Sequence, residues 1–326
     1  MRAVLARKPG GPEVLELVEV PAPSPNPHQV LIDVHAAALN RADLLQRRGL
    51  YPPPAGESDV LGMECAGVVS RVGTDVRTLS PGDRVMALLG SGGYAEQVAI
   101  HEKLAVKIPD NLSFEAAAAI PEAFVTAQQA LLDAGALGPG ERVLIHAGAS
   151  GIGSAAIQVA RELGAYVFAT TRSEHKLTFL RTLGVERAIH VGAEDFAEVI
   201  RTETREQGVD VLVDFVGAAY AEKNHAVLAT GGRWVVVGLL GGARATIDLG
   251  KLLARRQVLA GIVLRTRSLP EKTALLRAFR RDLLPWFEDG RLRPILDTTY
   301  PLEEVVRAHT HMEQNENVGK IVLRVR

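Results

Sequence analysis

Cysteine is almost absent from this sequence, since Cys65 is the only one in 326 residues. A single thiol excludes an internal disulfide and any zinc site built from several cysteines. Cys65 lies within the apolar run Leu61–Val69, where a small buried hydrophobic side chain is favoured over a reactive thiol.

Long apolar stretches and runs of like charge are also missing. No uninterrupted stretch approaches the roughly 18 apolar residues of a bilayer span, and the first residues lack the apolar core of a secretory signal. The 37 basic and 38 acidic residues are mixed along the chain and give a net charge of -1. We therefore expect a cytoplasmic protein that binds neither membrane nor nucleic acid.

The first part of the chain, to about residue 121, is typical of short β-strands. Runs rich in Val, Ile and Ala alternate with turn sequences; they are Gln29–His35, Val60–Val72, Arg84–Leu88 and Tyr94–Ile100. This pattern predicts a compact, mostly β unit.

After residue 121 the pattern changes to apolar strands that alternate with amphipathic helices. Arg142–Ala147 is followed by a helical repeat from Ile152 to Leu163, and similar pairs continue to about residue 264. Such alternation predicts a parallel sheet covered by helices on both faces. The remaining tail is too short for a domain, so we expect residues 265–326 to pack onto residues 1–121, with 122–264 as a separate domain.

A glycine-rich turn separates the first strand of this region from its helix. It consists of Gly148, Ala149, Ser150, Gly151, Ile152 and Gly153. Glycines let the backbone approach a pyrophosphate closely, and the helix N-terminus offers free N–H groups to it. The position between a strand and a helix favours a dinucleotide site over a tight turn without a ligand.

The end of the next strand indicates which dinucleotide binds. An acidic residue there usually holds the ribose of NAD, but this chain has Thr171, Arg172 and Ser173, with Lys176 one helical turn later. Arginine and lysine can bind the 2′-phosphate of NADPH, whereas Ser173 could instead cap the following helix. The sequence therefore predicts NADPH.

Several stretches resemble the quinone oxidoreductase branch of the medium-chain dehydrogenase/reductase superfamily. They are Ala38–Gln46, Gly49–Pro53, Ile120–Thr126, His146–Gly153 and Asn317–Val322, and the tumour-suppressor-inducible subgroup is the most similar. The resemblance implies a GroES-like β domain (1–121 plus 265–326) and a Rossmann domain with a doubly wound parallel sheet (122–264).

Zinc-dependent alcohol dehydrogenases of the superfamily carry ligands at two positions that differ here. Asn40 stands in place of a cysteine and Met63 in place of a histidine. Without thiolate or imidazole at these positions, we expect no metal.

The resemblance also implies roles for individual residues. Asn40 and Tyr51 would line the nicotinamide and substrate cleft between the domains and hydrogen-bond the acceptor. The remaining cofactor contacts would be Thr126, the glycine-rich turn, Gly238, Leu239, Leu264, Arg265 and Asn317.

The chain departs from related enzymes at one point, because His190-Val191 replaces their Asn-Tyr pair. His190 could contact the cofactor, although an ordinary histidine at the end of a strand is the simpler interpretation. Asn40 could likewise only cap the helix Arg41–Arg47, and Tyr51 could only pack on the prolines that follow it.

These observations predict an NADPH-dependent quinone oxidoreductase without zinc. Two alternatives stay open: an enoyl or alkenal reductase of the same superfamily, and a non-catalytic NADPH-binding sensor or crystallin-like protein. Related proteins dimerise through an edge strand of the Rossmann sheet, and the apolar run Val258–Val263 predicts a homodimer of the same kind.

Overall fold

A computed structural model describes all residues, 1–326. Tertiary contacts divide the chain into two compact units. The first unit combines Met1–Val125 with Leu264–Arg326, and the second comprises Thr126–Val263. No helix is long and apolar enough to span a bilayer.

The amino-terminal part of the first unit is mainly β-structure. In chain order its elements are β1 Arg2–Ala6, β2 Leu15–Glu19, β3 Gln29–Ala38, α1 Arg41–Arg47, β4 Glu64–Val72, β5 Arg84–Leu88, β6 Gln97–His101, β7 Ala105–Lys107, α2 Phe114–Ala118 and α3 Pro121–Gln128. The last residues of α3 belong to the second unit, and a π-helical turn, Gln129–Ala134, follows it.

The second unit alternates strands and helices. Its elements are β8 Arg142–Ile145, α4 Gly151–Glu162, β9 Tyr166–Thr171, α5 His175–Thr182, β10 Arg187–His190, α6 Phe196–Glu203, β11 Val209–Asp214, α7 Ala221–Val227, β12 Leu228–Val236, α8 Leu249–Ala254 and β13 Val258–Gly261. The chain then completes the first unit with α9 Leu269–Asp282, α10 Leu284–Glu288, β14 Leu296–Pro301, α11 Val305–Gln314 and β15 Lys320–Arg324.

The sheet of the second unit is parallel, which confirms the predicted α/β class. Its strand order is β10-β9-β8-β11-β12-β13, and all five pairings are parallel. Numbered from β8, this is the order 3-2-1-4-5-6 of dinucleotide-binding sheets, in which ligands bind at the carboxyl ends of the strands where the order reverses. That point lies between β8 and β11. The strands are apolar because this sheet is buried; Val143, Leu144, Ile145, Val211, Leu212 and Val213 are all fully buried.

The seven-stranded sheet of the first unit joins the two ends of the chain. Strand β15 pairs antiparallel with β3, and β3 pairs antiparallel with β4. Consequently the start of β15, the residues just after β3 and the start of β4 lie side by side. The sequence at these three points contains Lys320, Asn40 and Glu64.

Candidate active site

Three polar side chains form a buried network at this edge of the first unit's sheet. The Lys320 ammonium donates to the backbone oxygen of Leu39 and to Asn40 Oδ1, both at 2.6 Å, and lies 2.7 Å from Glu64 Oε1. All three ammonium protons thus have an acceptor. Asn40 Nδ2 donates to the same Glu64 oxygen at 2.9 Å. Burial of these charges is tolerable only because each polar atom is paired.

Asn40 occupies the N-cap position of α1, yet its side chain serves the network. The backbone N–H of Asn40 donates to Asp43 Oδ2 at 2.8 Å, and Tyr94 Oη donates to the same oxygen at 2.9 Å. Burial raises the pKa of Asp43 to about 6, although the Asn40 and Tyr94 hydrogen bonds oppose the shift. Asn40 therefore occupies the cap position of α1 and also belongs to a charged cluster, which the sequence did not predict. Its predicted place in the substrate cleft stays a prediction.

The zinc positions of the superfamily contain no suitable ligand set in this chain. An amide at Asn40 and a thioether at Met63 are not zinc ligands of the usual kind, and Asn40 already binds Lys320. No three His, Cys, Asp or Glu side chains in the structure are arranged to hold a metal ion. The residues present do not fit zinc.

Tyr51 lies beside Arg265 in the first unit. The guanidinium carbon of Arg265 is 5.0 Å from the centre of the Tyr51 ring, and its Nη1 donates to the Tyr51 backbone oxygen at 3.0 Å. Arg265 also donates to the Gly90 backbone oxygen at 2.7 Å and to Gln46. Arg265 therefore fixes the backbone that carries Tyr51, while the Tyr51 hydroxyl forms no hydrogen bond.

Two further predicted residues lie in the first unit. Leu264 is buried, and Asn317 Nδ2 donates to the Gly319 backbone oxygen at 2.9 Å, just before β15. Their contacts with cofactor stay predictions.

In the second unit the glycine-rich turn has the geometry of an anion site. The Ser150 hydroxyl caps α4 by accepting from the Gly153 N–H at 3.0 Å. A Cβ on Gly153 would lie 2.4 Å from the Ala147 oxygen and 2.9 Å from Gly148 Cα, so only glycine fits without moving the backbone. The turn follows β8 at the switch point, and the α4 N-terminus points its free N–H groups at any ligand there.

The predicted phosphate-binding residues cluster at the end of β9. Arg172 is exposed, and the Ser173 N–H donates to Thr171 Oγ1 at 3.2 Å. Lys176 is buried on α5. His190, at the end of β10, places Nε2 3.0 Å from the Arg172 backbone oxygen. The histidine thus supports the Arg172 segment.

The remaining predicted contacts of this unit lie elsewhere. Thr126 is buried on α3, and the Gly238 N–H donates to the Asp214 backbone oxygen at 3.1 Å after β12. Leu239, the next residue, is 54% exposed, so it is available to a ligand.

Comparison with known proteins identifies the family. Residues 26–110 match the alcohol dehydrogenase GroES-like domain, and residues 151–279 match the zinc-binding dehydrogenase domain. The chain is 31% identical to quinone oxidoreductase of Homo sapiens, over 99% of this chain and 97% of that protein. This chain belongs to the medium-chain dehydrogenase/reductase superfamily, among its quinone oxidoreductase-like members. The predicted GroES-like and Rossmann folds are confirmed.

Relatives with other names are equally similar. The chain is 35% identical to a mycocerosic acid synthase-like polyketide synthase of Mycolicibacterium smegmatis, over 99% of this chain. It spans only 5% to 15% of the length of the polyketide synthases that it matches. The crystal structure of CurK enoyl reductase superimposes with a TM-score of 0.89 at 30% identity, covering 100% of this chain and 99% of that one. The superfamily assignment therefore establishes an oxidoreductase of the pyridine-nucleotide type and leaves its acceptor open.

Three residues of this region were not predicted from the sequence: Lys320, Glu64 and Glu122. The backbone N–H of Glu122 donates to Glu64 Oε2 at 2.9 Å. A signal was present for two of them. Lys320 begins an otherwise apolar strand, and Glu64 interrupts the apolar run around Cys65. A charged residue inside a buried strand requires a partner of opposite charge.

Proposed function

We propose that this protein is an NADPH-dependent reductase that transfers hydride to a quinone without zinc. The observation that carries this proposal is the use of the Asn40 side chain by Lys320 and Glu64. A site without zinc ligands suits an acceptor that needs alignment more than a Lewis acid, and quinones are strong hydride acceptors of this kind. A bound nicotinamide would supply the hydride.

The second unit would hold the cofactor by its phosphates. The N–H groups of Ala149, Gly151 and Ile152, which the other hydrogen bonds of the turn leave free, suit the pyrophosphate. The exposed guanidinium of Arg172 suits a 2′-phosphate. Support for NADPH over NADH rests on Arg172 in place of an acidic residue.

In the first unit, Tyr51 and Asn40 would have different tasks. The Tyr51 hydroxyl has no partner within the protein and can donate to an acceptor oxygen. The Asn40 amide is shared between Lys320 and Glu64, so its main contribution would be to position that network.

A second candidate, reduction of an enone or enoyl group, is favoured by the similarity to CurK enoyl reductase. Hydride delivery is the same in both reactions, but an enone needs a proton on carbon. The two candidates differ in the acceptor that is reduced and not in the cofactor.

The experiment is the loss of NADPH absorbance with purified protein, first with an ortho-quinone and then with an alkenal. Each assay is repeated with NADH and with a chelator. Quinone turnover that prefers NADPH and ignores the chelator supports the proposal, whereas turnover on the alkenal alone supports the second candidate. Binding of NADPH without turnover on either acceptor contradicts both and favours a non-catalytic sensor. Unchanged turnover in Tyr51→Phe and Asn40→Ala would remove both residues from the proposed site.

A further inference from the structure

Glu122 is a buried acid that the fold does not use. It is the second residue of α3, it is 6% exposed, and its Oε1 atom has no hydrogen-bond partner. The backbone N–H of the same residue is held by Glu64, which fixes its place. Glu115, one helix earlier, shows the usual alternative, because it pairs with Arg324 at 3.1 Å. A buried polar atom without a partner costs stability, so a function is the better explanation for its retention.

The groups around Glu122 favour its neutral, protonated form. Burial is the largest effect and Glu64 the next, and together with Asp43 they raise the pKa of Glu122 to about 8 against the opposing charges of Lys320 and Lys272. Lys320 cannot reverse this, because its three ammonium protons are bound to other oxygens.

When Glu122 is deprotonated, its charge acts on Tyr51, the proposed acceptor contact, and on Arg265. Glu122 contributes to the raised pKa of Tyr51, after the larger effect of burial, and its charge also acts on Arg265. Glu122 is thus joined to the Asn40 network by the hydrogen bond from its backbone N–H to Glu64, and its charge acts on Tyr51 and Arg265.

Two other groups could hold a proton here, and both are less suitable. Asp43 is 0% exposed, and two hydrogen bonds to its Oδ2, from Asn40 and Tyr94, hold the carboxylate inside the fold although Oδ1 has no partner. Burial raises the pKa of the Tyr51 phenol further above its usual value near 10, which makes it a poor acid at neutral pH. Glu122 has a pKa raised to about 8 and a carboxyl oxygen, Oε1, that no group of the protein engages.

We infer that Glu122 donates the proton that completes reduction of the acceptor, an inference that rests on the proposed function. Hydride arrives at the acceptor with its electron pair, which leaves a hydroquinone oxyanion. The O–H bond of Glu122 breaks as the new O–H bond of the hydroquinone forms. The Glu122 carboxylate that remains is stabilised by Lys320 and Lys272, and water returns the proton before the next turnover.

The kinetic test uses Glu122→Gln and two quinones. Glutamine keeps the size of the side chain and the hydrogen bond from the backbone N–H to Glu64, so the fold should persist. Thermal unfolding of the variant checks this. With a quinone whose hydroquinone is a weak acid, kcat should fall by about 10²–10⁴-fold, the usual contribution of general acid catalysis. With an electron-poor quinone, whose hydroquinone anion is stable at neutral pH, kcat should change little.

The pH profile gives a second signature. Wild-type kcat with the weakly acidic hydroquinone should fall as the pH rises above about 8, because Glu122 then loses its proton. In Glu122→Gln this decrease of kcat at high pH should vanish.

Infrared spectroscopy of the free protein provides a measurement that does not depend on turnover. A protonated carboxyl band at pH 7 should disappear in Glu122→Gln and persist in Glu288→Gln, which removes an exposed acid. Equal losses with both quinones and an unchanged pH profile would overturn the donor role alone, as would the absence of that band. No wild-type turnover with any acceptor would overturn the proposed function and the donor role together.

Discussion

Lys320 and Glu64 form an ion pair with 2.7 Å between Nζ and Oε1, and their side chains are only 5% and 0% exposed. The two residues are 256 positions apart in the sequence (320 minus 64). They meet because β15 and β4 flank β3 in the same sheet.

Removing one partner of this pair should cost much stability. Lys320→Met leaves Glu64 charged and buried, and the loss of a buried partner typically costs about 3–5 kcal/mol. Chemical denaturation followed by circular dichroism would measure the change in the free energy of unfolding. The matched control is Lys107→Met, which breaks an exposed pair with Asp83 and should cost about 0–1 kcal/mol. Similar costs for the two variants would contradict the importance of the buried pair.

Arg172 should determine the preference for NADPH. Arg172→Ala should weaken NADPH binding by about 1.5–3 kcal/mol, the value of a charged hydrogen bond, and leave NADH binding nearly unchanged. Dissociation constants from fluorescence titration would show the difference, with the exposed Arg181→Ala as the control. The assignment fails if the unmutated protein binds NADPH and NADH equally well.

His309 should make the first unit sensitive to acid. Burial, together with the charge of Arg47, lowers the pKa of His309 to about 3, against about 6.5 in an unfolded chain. Arg47 Nη1 lies 3.2 Å from His309 Nδ1, so this nitrogen must accept and the ring must be neutral. Between pH 6.5 and 3 the unfolded chain binds a proton that the folded chain does not. The contribution of His309 to stability is therefore complete above about pH 6.5 and is lost as the pH falls through this window.

The test is the free energy of unfolding at several pH values between about 7 and 4, within the window where the two states differ in protonation. His309→Gln keeps an acceptor for Arg47 and should reduce the slope of stability against pH, whereas the exposed His175→Gln should not. An identical slope in His309→Gln and the wild type would show that other groups dominate the acid response.

The edge strand β13 should mediate self-association. It has a partner, β12, on one side only, and Val258 and Leu259 are 48% and 45% exposed. An exposed apolar edge is prone to pair with another chain. Leu259→Lys should therefore shift a dimer to monomers in sedimentation experiments, while Val306→Lys on α11 should leave the assembly unchanged. A wild-type monomer at micromolar concentration would contradict the homodimer.

Local patterns in the sequence predicted most of the second unit. The helix predicted from Ile152 to Leu163 is α4, and the run Val258–Val263 contains β13. These elements are predictable because an amphipathic helix and a buried strand have different apolar periods. The predicted strand Val60–Val72 was too long at its start, since β4 begins at Glu64. Its first residues are buried in a loop, so their apolar character reflects burial and not strand structure.

The polar network could not be predicted in the same way. Its members come from three segments that are distant in the sequence, and only strand order places Lys320 beside Asn40 and Glu64. The π-helical turn Gln129–Ala134 was not predicted either. The resemblance to a family predicted a role for Asn40. Its contact with Lys320 could be recognised only from the strand order of the sheet.

The position of β15 has a consequence for biosynthesis. Thr126–Val263 is complete, with all six of its strands, before residues 264–326 leave the ribosome. The sheet of the first unit is completed only by its last strand, and until then Glu64 has no cation. Translation therefore supplies all residues of the second unit before the sheet of the first unit receives β15. A nascent chain stalled before residue 320 should accordingly protect the second unit from protease and leave the first open to cleavage.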